Sequence, residues 1–399
     1  MQKYYIFFTR STLPKPNAAH LVHDVHSANA AANLGYLTAL VYLQKGVGSL
    51  NPIDLFYAFR PRKPNQELVE FYQIQDKLKV VPLSMPWPVD RTKWGWASSS
   101  TLTCKYYFPI HIFPITGILH TLDWNLVKTA VQQKIPVIYE REHYQDKRYE
   151  PEIVNSPFFQ IAVTVADPIR ENMIQNGMPP EKILKLHLGY NQAFLSRQPE
   201  QAKVWRQQLL TNRYQYLVVY SGGLYRFKGV DLLIDVAKAL PQVLFAFAGG
   251  DESKVNAYKQ IAQEKQVNNT KFLGYLPHSQ LASLLQAADA LAHPHCSGEA
   301  ATFTSPLKFF DYMASGTPIV ATEIPPLMEF SSSQVVAGWS EPDNPVKFAE
   351  CLKQVLETYP RKLEGYSAGM ELVRQFSWEN RITKIMASID SSYVDQLTV

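Results

Sequence analysis

Charge is sparse in this chain. Asp, Glu, Lys and Arg together make 19% of its 399 residues, while hydrophobic residues make 46%. A disordered polypeptide needs the opposite balance, so the composition is that of a folded globular protein. Cysteine is scarcer still: Cys104, Cys296 and Cys351 are the only three, far apart and without metal-ligand spacing. They exclude a disulfide framework and suit a reducing compartment. No window approaches the ~20 apolar residues of a membrane span. No basic run with interleaved aromatics points to nucleic acid. Neither a D-x-D pair nor a His/Cys cluster of ligand spacing occurs, so no metal site is expected. Residues 1–10 hold a short apolar run that ends at Arg10 without a small-residue cleavage site, which reads as a first strand and not a signal peptide. The first 195 residues are mildly basic. That excess suits an anionic membrane face or acceptor, and equally an ordinary surface.

What is present is α/β alternation. The length exceeds one compact core and implies two domains. Residues 4–8 read as a strand, 9–17 as a loop, 18–34 as a helix broken by Gly35, and 37–42 as a second strand, which together make a βαβ unit. Further short apolar runs at 78–82, 117–120, 136–139 and 161–165 suit parallel strands covered on both faces. The scheme repeats with strands at 217–220, 244–248, 271–273, 288–292 and 319–321 and helices between them. The boundary is placed at residues 195–201, and a last helix is expected from Ser377 to about Ile389. From Trp87 to Phe113 the chain is rich in large rings, with Trp94, Trp96, Tyr106, Tyr107 and Phe108. Pro109 and Pro114 break its period, so buried packing is expected there ahead of membrane contact.

Two stretches carry chemistry. In residues 304–322, Ser305 is placed to cap a helix whose first position is Pro306, and Gly316 to end it in a left-handed turn. The free amides of Leu307 and Lys308 then face an anion. One turn in, Asp311 can accept hydrogen bonds from sugar hydroxyls. In residues 221–231, Gly222 and Gly223 follow a strand and let a ligand approach the backbone, and Lys228 at the helix entrance supplies a point charge for a diphosphate.

The wording of 304–322 resembles the signature S-P-L-K-x-x-E-Y-M-A-x-G-x-P-I-V-A of family 4 retaining glycosyltransferases, the glycosyl transferases group 1. The resemblance implies a GT-B fold of two Rossmann-like domains facing across a cleft. Residues 1–196 would be the acceptor domain, with the C-terminal helix, 377–399, packing back on it, and residues 197–376 the nucleotide-sugar donor domain. It further implies metal-independent transfer of a sugar from a nucleoside diphosphate sugar, with retention and no cofactor, to a glycan, lipid-linked or small-molecule acceptor. The expected place is the cytoplasm, free or peripheral at the inner membrane face.

Residue by residue, Asp311 stands where the family has the glutamate that holds the ribose. Phe303 replaces the family's first glutamate, which leaves Glu299 as the nearest acid for the donor sugar; Thr304 and Ser305 complete the donor side. Lys228-Gly229 resembles the family's K-G. Gly223 stands where most members have an arginine, so that charge is absent or supplied by Arg226. Tyr275 is placed to stack on the nucleobase. Asn17, Ala18 and His20 lie at the first-domain loop that meets diphosphate or acceptor. His143, in a segment similar to Y-E-x-H, is the candidate nearest the reacting sugar, with Glu140 orienting it or the acceptor. Phe303 and Gly223 also motivate the other reading, a catalytically degenerate GT-B protein that acts as a sugar-binding or scaffold partner.

Overall fold

The computed structural model describes residues 2–15, 19–44, 57–75, 77–85, 98–211, 213–303 and 307–397; the side chains of residues 19, 20 and 303 lie outside it. The chain divides into two compact units, Met1–His187 with Trp378–Val399, and Leu188–Ser377.

The first unit is built on seven parallel strands: β1 Tyr4–Thr9, β2 Thr38–Gln44, β3 Lys79–Ser84, β4 Thr116–Thr121, β5 Val137–Arg141, β6 Phe159–Thr164 and β7 Ile183–Lys185. They pair in the order β3-β2-β1-β4-β5-β6-β7. Apolar runs such as Ile6, Phe7 and Phe8 are buried on both faces of the sheet, as a parallel sheet with helices on either side requires. Helix Ala19–Asn33 connects β1 to β2, and the C-terminal helix Trp378–Ala387 packs beside it. Trp378 is buried, its ring stacked on His23 at 5.8 Å and on His26 at 5.7 Å between centroids.

The second unit has six parallel strands: β8 Tyr216–Ser221, β9 Val243–Ala248, β10 Thr270–Gly274, β11 Ala290–His293, β12 Ile319–Thr322 and β13 Gly338–Ser340, in the order β10-β9-β8-β11-β12-β13. Both units are therefore Rossmann-like. Residues 188–196 belong to this unit: Tyr190 and Phe194 sit in its core with Phe309, Phe310 and Leu285. The sequence reading placed the boundary later, because this stretch has no periodic element of its own.

Three segments differ from expectation. Edge strands β7 and β13, three residues each, carry too short a pattern to be read. Residues 99–115 run on through Pro109 as helix Ser99–Leu102, a wider-wound π-helix Thr103–Ile112 and a 3-10 turn Phe113–Ile115. Tyr107, Phe108, Ile112 and Phe113 are buried there, so packing holds a segment whose period predicted a break. Trp94 and Trp96 lie outside the described residues. No described helix is long and apolar enough to cross a membrane.

Candidate functional site

In an open parallel sheet, ligands bind beyond the carboxyl ends of the strands where the strand order reverses. In the second unit that point lies between β8 and β11. After Ser221 the chain turns through Gly222, whose amide donates to Ala248 O at 2.9 Å. A Cβ on Gly249 would fall 2.1 Å from the Gly222 carbonyl oxygen, so the two glycine turns meet backbone to backbone. Gly229 has φ +76°, and a Cβ there would fall 1.7 Å from the Pro294 carbonyl oxygen. The loop that carries Lys228 is thereby pinned against the end of β11.

Three lysine side chains converge on this loop, among them Lys254, whose Nζ lies 3.3 Å from the ring centroid of Tyr225. Lys228 ends the 3-10 turn Arg226–Lys228, half-buried, with Nζ 5.6 Å from the ring centroid of Tyr225 and 5.8 Å from that of Phe227. Lys308, the second residue of helix Leu307–Ser315, lays its stem along Gly222 and holds Nζ 4.2 Å from the ring centroid of Tyr220. That nitrogen is closed to solvent and has no hydrogen-bond partner among the described residues. Burial pushes both lysines down, Lys308 well below the usual range, and the charge of Lys228 adds to the effect on Lys308. Burial also holds His293 well below its ordinary value and His295 at about 4, with Lys308 and Lys228 adding to both shifts. The histidines therefore stay neutral near pH 7.

Asp311 sits on the same helix, half-buried, and accepts from the Asn191 amide at 3.4 Å. Burial raises its carboxyl to about 7, with the Asn191 N–H pulling the other way. A carboxyl that must ionise at 3.8 unfolded and at about 7 folded penalises the native state increasingly as pH rises between those values. Asp311→Asn is therefore expected to stabilise the protein by about 1–2 kcal/mol at pH 8, discounted for partial solvation, and by nothing at pH 4. Thermal melts of both proteins across that range test this; a gain that is equal at the two pH values contradicts it.

The other expected donor residues are spread around this centre. Leu307 is the first residue of helix Leu307–Ser315, and Gly316 follows its end at φ +67°. Glu299 begins the short helix Glu299–Phe303 and is exposed. Tyr275 follows β10 and is 42% exposed. Arg226 is exposed on the outer side of its turn. At Gly223 a Cβ would lie 2.5 Å from the exposed Tyr225 ring, which would have to turn aside to admit a side chain. Thr304 and Ser305 lie outside the described residues, as do Asn17 and Ala18. His20 falls in helix Ala19–Asn33, and its side chain is not described.

In the first unit, His143 is exposed just beyond β5, and its carbonyl accepts from Arg141 Nε at 2.7 Å. Glu140 does not orient it. The Glu140 carboxylate is 1% exposed and takes both Nη1 and Nη2 of Arg381, at 2.7 and 2.8 Å, and His120 Nε2 at 2.8 Å. Its side chain points into the sheet's helix layer because β5 alternates faces, while His143 lies past the strand. Sequence reading missed Lys308's side-chain role, Tyr220, and this buried cluster. The spacing of His20, His23 and His26 along one helix was the signal available for the last.

Residues 201–367 match the family model described as glycosyl transferases group 1. The D-inositol 3-phosphate glycosyltransferase of Corynebacterium aurimucosum is 28% identical over 208 residues, 49% of this chain and 46% of that protein. The enzyme of the same description from Mycolicibacterium smegmatis is 26% identical over 186 residues, 45% and 41% of the two chains. The chain thus spans about half the length of the curated relatives it matches. Among solved structures, HepE of Anabaena, in complex with UDP and glucose, aligns over 98% of this chain and all of its own, with TM-score 0.67 and 16% identity. A glycosyltransferase of Rickettsia africae aligns over 99% of each chain, with TM-score 0.69 and 13% identity. These two likenesses concern the fold.

Proposed function

We propose, on the premise that residues 201–367 belong to the glycosyl transferases group 1, that this protein transfers a sugar from a nucleoside diphosphate sugar to a hydroxyl-bearing acceptor. The observation that carries the reading is the buried Lys308 side-chain nitrogen, without a hydrogen-bond partner among the described residues, beside Lys228 at the glycine loop that ends β8. An isolated ammonium is costly to bury, and two near each other cost more. Such a pair makes sense where an anion docks between them. The UDP bound by the structurally similar HepE supports a nucleoside diphosphate as that anion.

In the proposed reaction the acceptor oxygen bonds to the anomeric carbon as the bond from that carbon to the diphosphate oxygen breaks. Charge that develops on the leaving diphosphate is met by Lys228, Lys308 and the amides of Leu307 and Lys308, already oriented before reaction. Asp311 takes the ribose hydroxyls, Tyr275 the base and Glu299 the donor sugar. His143, by its motif, takes a sugar hydroxyl. We assign retention of configuration and independence of metal on the resemblance in 304–322 together with the two lysines. The acceptor's proton leaves with the diphosphate.

The test is thermal shift against UDP, GDP and ADP sugars, followed by release of nucleoside diphosphate. One donor should raise the melting temperature, because a ligand that binds only the native state stabilises it. Lys228→Ala should abolish that shift and reduce turnover at least ~100-fold. Gly223 without the arginine favours a second reading, a binding protein without turnover. Donor binding that Lys228→Ala removes, with no product from any donor, would establish that reading and sink the first.

A further inference from the structure

The chain that leads from β11 to Glu299 is held in two different ways. Its first part is joined to the turn that carries Lys228. The Cys296 amide donates to the Phe227 carbonyl at 2.9 Å, the Cys296 thiol donates to the Arg226 carbonyl at 3.4 Å, and the Pro294 carbonyl packs on Gly229. From the other side the Thr322 hydroxyl, at the end of β12, donates to the His295 carbonyl at 2.7 Å. Burial, and after it the Asp343 carboxylate, raises the Cys296 thiol to about 11, so it keeps the proton that it donates.

Beyond Cys296 that frame ends. Ser297, Gly298 and Glu299 are exposed. Gly298 has φ +110°, and a Cβ there would meet no atom of the described residues within 4 Å, so packing does not hold this part of the chain. Ala301 anchors the short helix Glu299–Phe303 in the core, but only two residues further on. A tie to its entrance comes from another loop. Asp343, between β13 and helix Pro345–Thr358, accepts from the Ser297 amide through both carboxylate oxygens, at 3.3 and 3.2 Å. The Ser297 hydroxyl, and after it the Cys296 thiol, hold the Asp343 carboxyl below its usual range. Asp343 has φ +59°, a left-handed conformation that aspartate tolerates better than most side chains. The helix that follows does not account for the acid, because its cap is Asn344, which accepts from the Lys347 amide at 3.1 Å.

We infer that Asp343 is a positioning residue of the donor site: through Ser297 it sets where Glu299 stands relative to Lys228, and so how the donor sugar is read once its diphosphate is bound. The inference rests on the sugar-transfer reading above, with Glu299 as the acid that meets the sugar. Asp343 itself touches no part of the donor in this scheme. Sugar and diphosphate are met by different loops, and a misplacement of ~1 Å between groups that hold one substrate is enough to lower the rate.

The experiment uses the full chain. Calorimetric titration with UDP, GDP and ADP gives the affinity for the nucleoside diphosphate, and its release from UDP-glucose, GDP-mannose and ADP-glucose gives kcat and KM. Asp343→Gly removes the carboxylate and keeps the left-handed backbone. Its kcat/KM should fall about tenfold, while the affinity for the nucleoside diphosphate stays within about twofold of the wild type. Asp343→Asn, which keeps one acceptor oxygen, should recover most of the loss. In a Glu299→Ala background Asp343→Gly should cost nothing further, since it acts through that acid. Where the wild type binds a donor without turnover, titration with the intact donor replaces the rates. Melting curves establish that each variant folds, and Asp343→Ala serves should Asp343→Gly not fold. Equal losses in donor turnover and diphosphate affinity, additive effects of the substitutions at 343 and 299, or undiminished kcat/KM in Asp343→Gly would overturn the inference and leave the transferase reading standing. A wild type that neither binds a nucleoside diphosphate nor turns over a donor would sink both.

Discussion

Replacing Lys308 by methionine is expected to raise the melting temperature of the free protein and, in the same variant, to lower kcat/KM for the nucleotide sugar by about 10²–10³. The two effects share one cause. The side-chain nitrogen is closed off without a hydrogen-bond acceptor among the described residues, and the ring of Tyr220 offsets only part of its lost hydration. A methionine of similar length relieves the uncompensated charge, a gain of about 1–2 kcal/mol in stability and so a few degrees in a unit of this size. It also removes the charge that a diphosphate would meet. A lysine that merely filled space would behave in the opposite way, with a lower melting temperature and unchanged kinetics. Calorimetry and steady-state rates on one preparation separate the two cases, and titration with UDP shows whether binding or turnover carries the loss.

Glu140→Ala should be the most destabilising single substitution of a polar residue in the first unit, by about 3–5 kcal/mol in denaturant unfolding. The alanine strands Arg381, whose guanidinium loses both bonds to the carboxylate in a region nearly closed to water. It also exposes His23 to its own burial. Burial would push that ring down, but Glu140, with Glu142 Oε1 2.7 Å from His23 Nδ1, keeps it protonated up to about 10. A histidine whose folded value is raised adds stability that is complete below the ordinary 6.5 and is lost as pH climbs toward 10. Wild-type stability should therefore fall across that window, and Glu140→Ala should flatten the fall. The double variant Glu140→Met/Arg381→Met should recover most of the single variant's loss, because no charge is left unpaired. A double variant as unstable as the sum of the two single ones would rule out the ion pair as the cause.

The α/β alternation was readable because buried parallel strands leave short apolar runs and each helix leaves caps. The spans 4–8 and 244–248 lie within β1 and β9, and 37–42 overlaps β2, for that reason. Likewise, Gly316 closes its helix in the left-handed region that its position implied. Edge strands β7 and β13 left no such run, and residues 103–112 form a π-helix that Pro109 argued against. At the candidate site, sequence spacing placed the Lys228 loop and the helix of Asp311 in one nucleotide-binding scheme. It assigned Lys308 only an amide, since an i, i+3 relation on a helix does not say which side chain lies closed over a glycine.

By itself, the amino-acid sequence determined two α/β units, a glycine loop with a lysine, and a helix that brings an acid near its anion-binding end, because each of these is written in local spacing and turn chemistry. Tertiary structure alone decided which charges are paired. Glu140 and Arg381, 241 positions apart, neutralise each other inside the first unit, while Lys228 and Lys308, 80 positions apart, converge with no such neutralisation in the second. Whether a charge is satisfied or left for a ligand depends on desolvation and distance, and a chain acquires both only when it folds.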